Sequence, residues 1–477
     1  MGEFTGKPLI GEWWEPNQPT KIFKGQLYLA EDNHGTLTLM GTSKVLSGLW
    51  PSWREKRTIF GKLKNQYPYN VTLFNAGLMR GPGQSSDENY ETEAVFFTNE
   101  ILIGMHVASK EESIVHGARI GITGLDEWYD KTGFSGTVAL GPIPFGVESV
   151  NLMYKAIKSP FYKVGPTSTL RFCSRYSGPL FFENTNTKKF KMEEKTFIEL
   201  NFKGAISIND LTREATIWQR FLTFGLQQAT YPNDIMLSIG TEPDTFNVGL
   251  LTPGWSNTRF DTKHHGEPAV LFTFSKLGLK VGKYLRAWRE KNDLIETVIT
   301  LFMASYYLRA FTHVNLLMYL QALEVLHSIL FNGSRFPDKG TKRITLRLLR
   351  EAIPANIPKS LQKEIHQQIG LIGSVPLVDR LKHLYNLYPR SIRPLFPAYE
   401  DDMRLLKEAR NFLTHYGDRK KLTKDFLSSR QLTVLTEKTK LFLEICILGA
   451  IGMNDGEISE FISGCEPYWG WQQETHH

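Results

Sequence analysis

The sequence predicts an α+β chain: an N-terminal antiparallel β-rich domain, sandwich-like or barrel-like, followed by an all-α helical bundle. Three observations predict it. Over the first 280 residues or so, short runs of alternating apolar and polar residues recur between Gly, Asn and Pro. From about Lys283 onward, longer segments with a 3.6-residue apolar period replace them. The charge changes with the texture. Residues 285–450 hold 26 Lys and Arg against 16 Asp and Glu, a net of +10, whereas the rest of the chain holds 30 against 33, a net of −3.

In chain order, GQLYLA and TLTLM flank the turn-rich EDNHG and read as a hairpin. RTIFGKL, NVTLFNAG, EAVFFTN, EILIGMHV, ARIGITG, GTVALG, TLRFCSR, KKFKM and TFIELNFKG follow as strands. One helix interrupts them. Asn209 or Asp210 is the expected cap, and LTREATIWQRFLTFGLQQA is the body. DIMLSIG, FNVGLL and AVLFTFS return to strand character. In the second half, the period predicts helices near 283–298, 300–332, 341–352, 358–371, 376–388, 399–416 and 430–453. Pro354, Pro358, Pro394 and Pro397 punctuate them. The resulting division is a β-rich domain over 1–280, a bundle over 285–455 and a C-terminal tail over 456–477.

Composition removes several classes. With 41% apolar and 12% aromatic residues, the chain has enough to build packed cores. Cys173, Cys446 and Cys465 are too few for a disulfide scaffold, and none has C-x-x-C spacing. The start, MGEFTGKPLIGEWW, lacks the charged-then-apolar pattern of a signal peptide. The apolar stretch Leu301–Leu330 is interrupted by Arg309, His313, Gln321 and Glu324, which predicts a buried helix rather than a membrane span. A cytoplasmic protein without a membrane partner is expected. The basic excess of the bundle points to a polyanionic partner, RNA or DNA first.

The segment Tyr399–Gly417 carries the most chemistry. Glu400, Asp401 and Asp402 sit in its first turn and Gly417 follows its end, as helix punctuation requires. Leu406, Ala409, Leu413 and Tyr416 form one apolar stripe. Arg410, Asn411 and His415 spell R-N-x-x-x-H. Asn411 and His415, four apart, share a face. Arg410 and His415, five apart, are offset by about 140° at ~100° per residue, so one helix does not bring both onto one phosphate. A second copy across a dimer seam would. A histidine titrating near neutrality can move the protons that RNA cleavage requires, and an arginine can hold the phosphate and stabilise its developing charge. Arg419, Lys420 and Lys421 follow and extend a phosphate track. Arg343, Arg347 and Arg350 share one helix face and form a weaker RNA-binding candidate. The spacing R-x4-H occurs again at Arg259–His264, in a stretch without helical period. His264, His265 and Glu267 form a weak metal-like cluster, and no metal ligand is assigned. Trp13, Trp14 and Trp128 read as core anchors.

Residues 285–455 resemble a HEPN domain, a nucleotide-binding helical bundle whose ribonuclease members carry an R-x4-6-H signature. Arg410-Asn411-…-His415 matches that signature, and Tyr319–His327 is similar to its L-E-x-L-H element. Gly11–Pro16, Phe23–Tyr28, Leu37–Gly41 and Leu125–Trp128 resemble the N-terminal domain of ApeA-type proteins. The resemblance implies an anti-phage protein in which a HEPN ribonuclease acts by abortive infection. It implies a homodimer through the motif helices, RNA as partner with tRNA or another structured RNA foremost, no cofactor, no metal, and products ending in 2′,3′-cyclic phosphate. Arg410 and His415 become the catalytic pair, Asn411 the supporting residue, and Glu324 a weaker orienting candidate. The N-terminal domain becomes a sensor for an unknown phage trigger. The alternative is a non-catalytic HEPN module that binds RNA or protein, with a ligand-sensing β domain.

Overall fold

A computed structural model describes residues 6–30, 33–47, 55–64, 70–81, 89–140, 147–178, 192–240, 246–251, 270–308, 310–331, 336, 338–354, 356–414, 428–465 and 468. The chain divides into two compact units, Met1–His265 with Phe272–Arg286, and Gly266–Leu271 with Ala287–His477.

The first unit opens with β1 (Pro8–Trp14), β2 (Phe23–Leu29), β3 (Gly35–Thr42), the short α1 (Ser43–Ser47), β4 (Arg57–Leu63), β5 (Asn70–Arg80) and β6 (Glu91–Thr98). The six strands run β5-β4-β1-β2-β3-β6, and β6 pairs back onto β5, closing a barrel. Every pairing around the ring is antiparallel. Closure leaves no unpaired strand edge within the ring, one of the two solutions open to a run of short alternating strands. Alternation sets the interior. Leu9, Gly11 and Trp13 of β1 and Phe23, Gly25, Leu27 and Leu29 of β2 are buried, while the residues between them are less so.

Trp13 shows why this barrel requires a particular glycine. Trp13 pairs with Gly61 across β1 and β4, and a Cβ built on Gly61 would lie 2.2 Å from the indole ring. The ring therefore occupies the space a side chain would take. Trp13→Ala is expected to cost about 3–5 kcal/mol through lost burial and cavity formation. Gly61→Ala is expected to destabilise by ~1–3 kcal/mol through overpacking. Urea midpoints of the two variants against the parent check both values.

The sheet continues outward from β5 through β7 (Glu100–Ile103). There follow β8 (Ser113–Ile122), α2 (Leu125–Trp128), the hairpin β9 (Phe134–Leu140) and β10 (Val147–Tyr154), β11 (Tyr162–Lys163), β12 (Ser168–Ser177), β13 (Glu193–Ser207), α3 (Ile208–Leu226), β14 (Pro232–Ile239) and β15 (Phe246–Leu251). The order beyond β7 is β15-β14-β8-β13-β12-β11. Trp128 is fully buried, with its ring 5.2 Å from Phe172 and 5.5 Å from Phe221 of α3.

Several details differ from the sequence reading. The cap of α3 is Ser207, not Asn209 or Asp210. The Ser207 hydroxyl accepts from the Asp210 amide, and the Asp210 carboxylate accepts from the Ser207 amide, a capping box. The described part of AVLFTFS, residues 270–275, does not form a strand. Residues 270–273 are irregular, and Phe274–Leu277 form helix α4 capped by Thr273. The apolar run serves burial instead: Phe272 packs 5.4 Å from Phe221 and 5.9 Å from Phe224. Strand β10, VESVNLMY, was not expected. Residues 188–191 of KKFKM lie outside the described residues.

The helices continue with α5 (Val281–Asn292), α6 (Glu296–Tyr307), α7 (Thr312–Phe331), α8 (Lys339–Glu351), α9 (Lys359–Leu371), α10 (Leu377–Leu387), α11 (Pro389–Ile392), α12 (Tyr399–Thr414), α13 (Ser429–Ala450) and α14 (Asp455–Ser463). The single helix expected over 300–332 is two, because Leu308 takes an extended conformation at φ −111°, ψ 135° and ends α6. No Pro or Gly marks that break. Residues 456–463, read as tail, belong to α14, which packs against α11 and α13. α7 is the centre of the second unit and touches α6, α10, α12 and α13. It is long and apolar enough to cross a membrane by length and composition. Its place at the bundle centre accounts for that apolarity, with Leu316, Tyr319, Leu320, Ala322, Leu323, Leu326 and His327 buried.

Candidate functional site

α12 docks through Met403, Leu406 and Ala409, a buried stripe at i, i+3, i+6 that begins one turn before the stripe read from the sequence. Leu413 is half-buried, and Tyr416 lies outside the described residues. The three acids of the first turn have local roles. Asp401 pairs with Arg404, and Glu400 pairs with Lys382 of α10. Burial raises the Asp402 carboxyl above the usual carboxylate range.

This docking brings the last two turns of α12 beside α7. Arg410 Nη2 lies 3.6 Å from Glu324 Oε1, with the two side chains 40% and 25% exposed. Both line an open cleft of about 700 Å³, together with Leu317, Gln321, Val325, Ser328, Ile329, Arg380 and Thr414. At that separation and exposure, the Arg410–Glu324 pair is worth no more than ~1 kcal/mol, so an incoming phosphate can displace the carboxylate. Thr414 donates its hydroxyl to the Arg410 carbonyl at 2.9 Å, closing the helix on itself.

Arg380 is the residue sequence reasoning missed. It sits in V-D-R-L-K-H, where no spacing distinguishes it from other charges on an amphipathic helix. Only the packing of α10 on α7 carries it into the cleft. Its Nε donates to the Val375 carbonyl at 2.7 Å. Its Nη1 donates to the Ser328 hydroxyl at 2.9 Å and the Glu324 carbonyl at 3.3 Å.

The structure brings together Arg410 and Glu324 of the expected site. Asn411 occupies the same final turns of α12 and is half-buried. His415, Arg419, Lys420 and Lys421 lie outside the described residues, as do Arg259, His264, His265 and Glu267. Arg343, Arg347 and Arg350 are exposed on α8 and do not line the cleft, and Arg347 pairs with Glu351 at 3.6 Å. Trp13 and Trp128 are fully buried in the first unit, and Trp14 packs edge-on to Phe60 and His106.

His327 is a core histidine. It is fully buried, with its Nε2 2.9 Å from His383 Nδ1 and its ring stacked on Phe331. Burial first, then the neighbouring His383 and Arg380 charges, push its pKa down to about 4. An unfolded histidine titrates near ~6.5. The unfolded chain therefore takes up a proton that the folded one refuses between those values. Stability supplied by neutral His327 is present above the unfolded value and is lost as pH falls from there toward 4. Urea midpoints should drop between pH 7 and pH 5, and His327→Leu should flatten that dependence. An equally steep loss in the variant would assign the effect to other groups.

Two family models match the chain. ApeA N-terminal domain 1 matches residues 8–288, and Apea-like HEPN matches residues 317–457. Neither a curated protein nor a solved structure matches it. The HEPN match contains Glu324, Arg380, Arg410 and His415, so the cleft lies within it. The ApeA match spans the closed barrel and the sheet that continues from it. The chain thus belongs to the ApeA family of anti-phage proteins, an ApeA N-terminal domain followed by an ApeA-like HEPN domain.

Proposed function

We propose that this protein is a metal-independent RNA endonuclease that acts in anti-phage defence by abortive infection, with Arg410, Asn411 and His415 as its catalytic residues. The observation that carries this reading is Arg410 at the wall of an open cleft, held by a weak and displaceable pair with Glu324. The guanidinium binds the scissile phosphate and neutralises the charge that develops on its oxygens. His415, one residue beyond the described end of α12, transfers the proton of the 2′-OH or of the leaving 5′-oxygen. Asn411, four residues before it, orients the imidazole. Glu324 keeps Arg410 extended into the cleft before substrate arrives.

The offset between Arg410 and His415 gives the enzyme its quaternary requirement. Their five-residue spacing, at the helical ~100° per residue, offsets them by about 140°, so in this reading the composite site takes Arg410 from one protomer and His415 from the other. The first unit acts as the sensor that responds to a phage component. Structured RNA, with tRNA foremost, is the substrate. In-line attack by the 2′-OH needs a flexible backbone, and unpaired loops supply it.

Incubating the purified full chain with total RNA in excess EDTA tests the reading. Discrete cleavage by the parent protein, absent from Arg410→Ala, is expected. RNA that stays intact with a dimeric, folded parent protein would remove the nuclease and leave a binding module.

A further inference from the structure

The cleft holds a second cation whose surroundings differ from those of Arg410. Arg380 makes three hydrogen bonds, to the Val375 carbonyl, the Glu324 carbonyl and the Ser328 hydroxyl, and every acceptor is neutral. Among the described residues it forms no ion pair with a carboxylate, whereas Arg410 has Glu324 and Arg347 has Glu351. Its charge reaches its surroundings, since it helps to depress the nearby His327. A partly buried guanidinium without a counterion is costly to fold, and such a cation at a cleft marks a place where a ligand supplies the anion.

The bonding pattern also leaves a defined valence. A guanidinium has five N–H donors. The Nε–H and both Nη1–H are occupied by the three contacts, and the two Nη2–H remain. The occupied donors fix the plane of the fork against α7, so the remaining pair is held in one orientation before any ligand binds. Preorganised, planar and paired donors suit a phosphate oxygen edge.

We propose that Arg380 anchors a second phosphate of the RNA backbone, adjacent to the one that Arg410 contacts, and so sets which phosphate reaches Arg410. The proposal rests on the reading that the cleft receives RNA. Arg410 must exchange Glu324 for a phosphate, but Arg380 has no carboxylate to release among the described residues, so the strand docks at Arg380 first. Arg380 is a positioning residue, not a catalytic one.

The test uses the full chain and a short single-stranded RNA that is 2′-O-methylated throughout and cannot be cut. Its affinity is measured by fluorescence anisotropy over a range of salt concentrations for the parent, Arg380→Gln and Arg380→Lys. Removing one phosphate contact should lower the slope of log affinity against log salt by about 0.7, the single-strand value. Arg380→Gln should show that drop and bind roughly tenfold more weakly, about 1.4 kcal/mol, because a charge-assisted contact is lost. Arg380→Lys should keep the slope while losing a few-fold in affinity, since the charge stays and the fork goes. An unchanged slope in Arg380→Gln overturns the proposal. Equal losses in both variants, tracking a lowered melting temperature, also overturn it and assign Arg380 to joining α7 and α10. Cleavable RNA separates this from the nuclease reading. Slope loss in Arg380→Gln, with a parent that never cuts, keeps the anchor and removes the nuclease. Cutting with an unchanged slope does the reverse.

Discussion

His415→Ala is expected to slow RNA cleavage by about 10²–10⁴-fold, the range for losing a positioned general acid or base. Folding and RNA binding should change little. Among the described residues, the buried face of α12 is Met403, Leu406 and Ala409, all at least six positions before His415. In the proposed reading binding rests on distributed cations, of which Arg410 and Arg380 line the cleft. The loss should appear in kcat rather than KM, because the imidazole acts on protons in flight. Toxicity in cells should fall with it. Mixing His415→Ala with Arg410→Ala protein supplies a sharper check. Each homodimer lacks one half of every composite site, and a mixed dimer regains one intact site. Recovery of activity on mixing supports the two-protomer geometry, and its absence from demonstrably mixed dimers argues for a site within one chain.

The second large effect concerns the nucleophile. If the substrate's own 2′-OH attacks, RNA with a single 2′-deoxy sugar 5′ of the scissile phosphate should not be cut at that position. DNA should be inert, and products should end in 2′,3′-cyclic phosphate. The engagement of two first-turn acids of α12 is consistent with this chemistry. Glu400 is engaged with Lys382 and Asp401 with Arg404, and both precede Arg410 by more than two helical turns. Among the described residues neither lines the cleft, and in the proposed mechanism Arg410 supplies the positive charge near the phosphate. Cleavage of the deoxy-substituted position with 5′-phosphate products would place the nucleophile on water and reopen the assignment of His415.

The legibility of the two halves differed for physical reasons. Strand alternation at period two is a strong local signal, and it located most strands of the first unit. It does not specify closure. Whether β6 pairs back onto β5 depends on strand twist and register, which are set across residues 77–80 and 95–97. The run AVLFTFS misled because an apolar segment packed on α3 needs no ladder of its own, and Thr273 could cap a helix there. Helical period located the bundle helices but hid the break at Leu308, which has neither proline nor glycine. In the site, Arg410 and Asn411 were legible as a motif on a punctuated helix. Glu324 was legible only through a resemblance, and Arg380 not at all, because its neighbours in the cleft are Glu324 and Ser328, more than 50 residues away in the chain.

The sequence by itself determined the two-part architecture, the helix that carries the motif and the concentration of positive charge on the bundle. Periodicity, capping and charge are local or additive properties, and no folding is needed to count them. Tertiary structure alone decided that the β strands close into a barrel, that Trp13 must lie over a glycine, and that Arg410 meets Glu324. It also decided that Arg380 enters the same cleft with no carboxylate partner among the described residues. Each of these depends on which helix or strand packs against which, and long-range packing brings together residues whose chain separation carries no signal of its own.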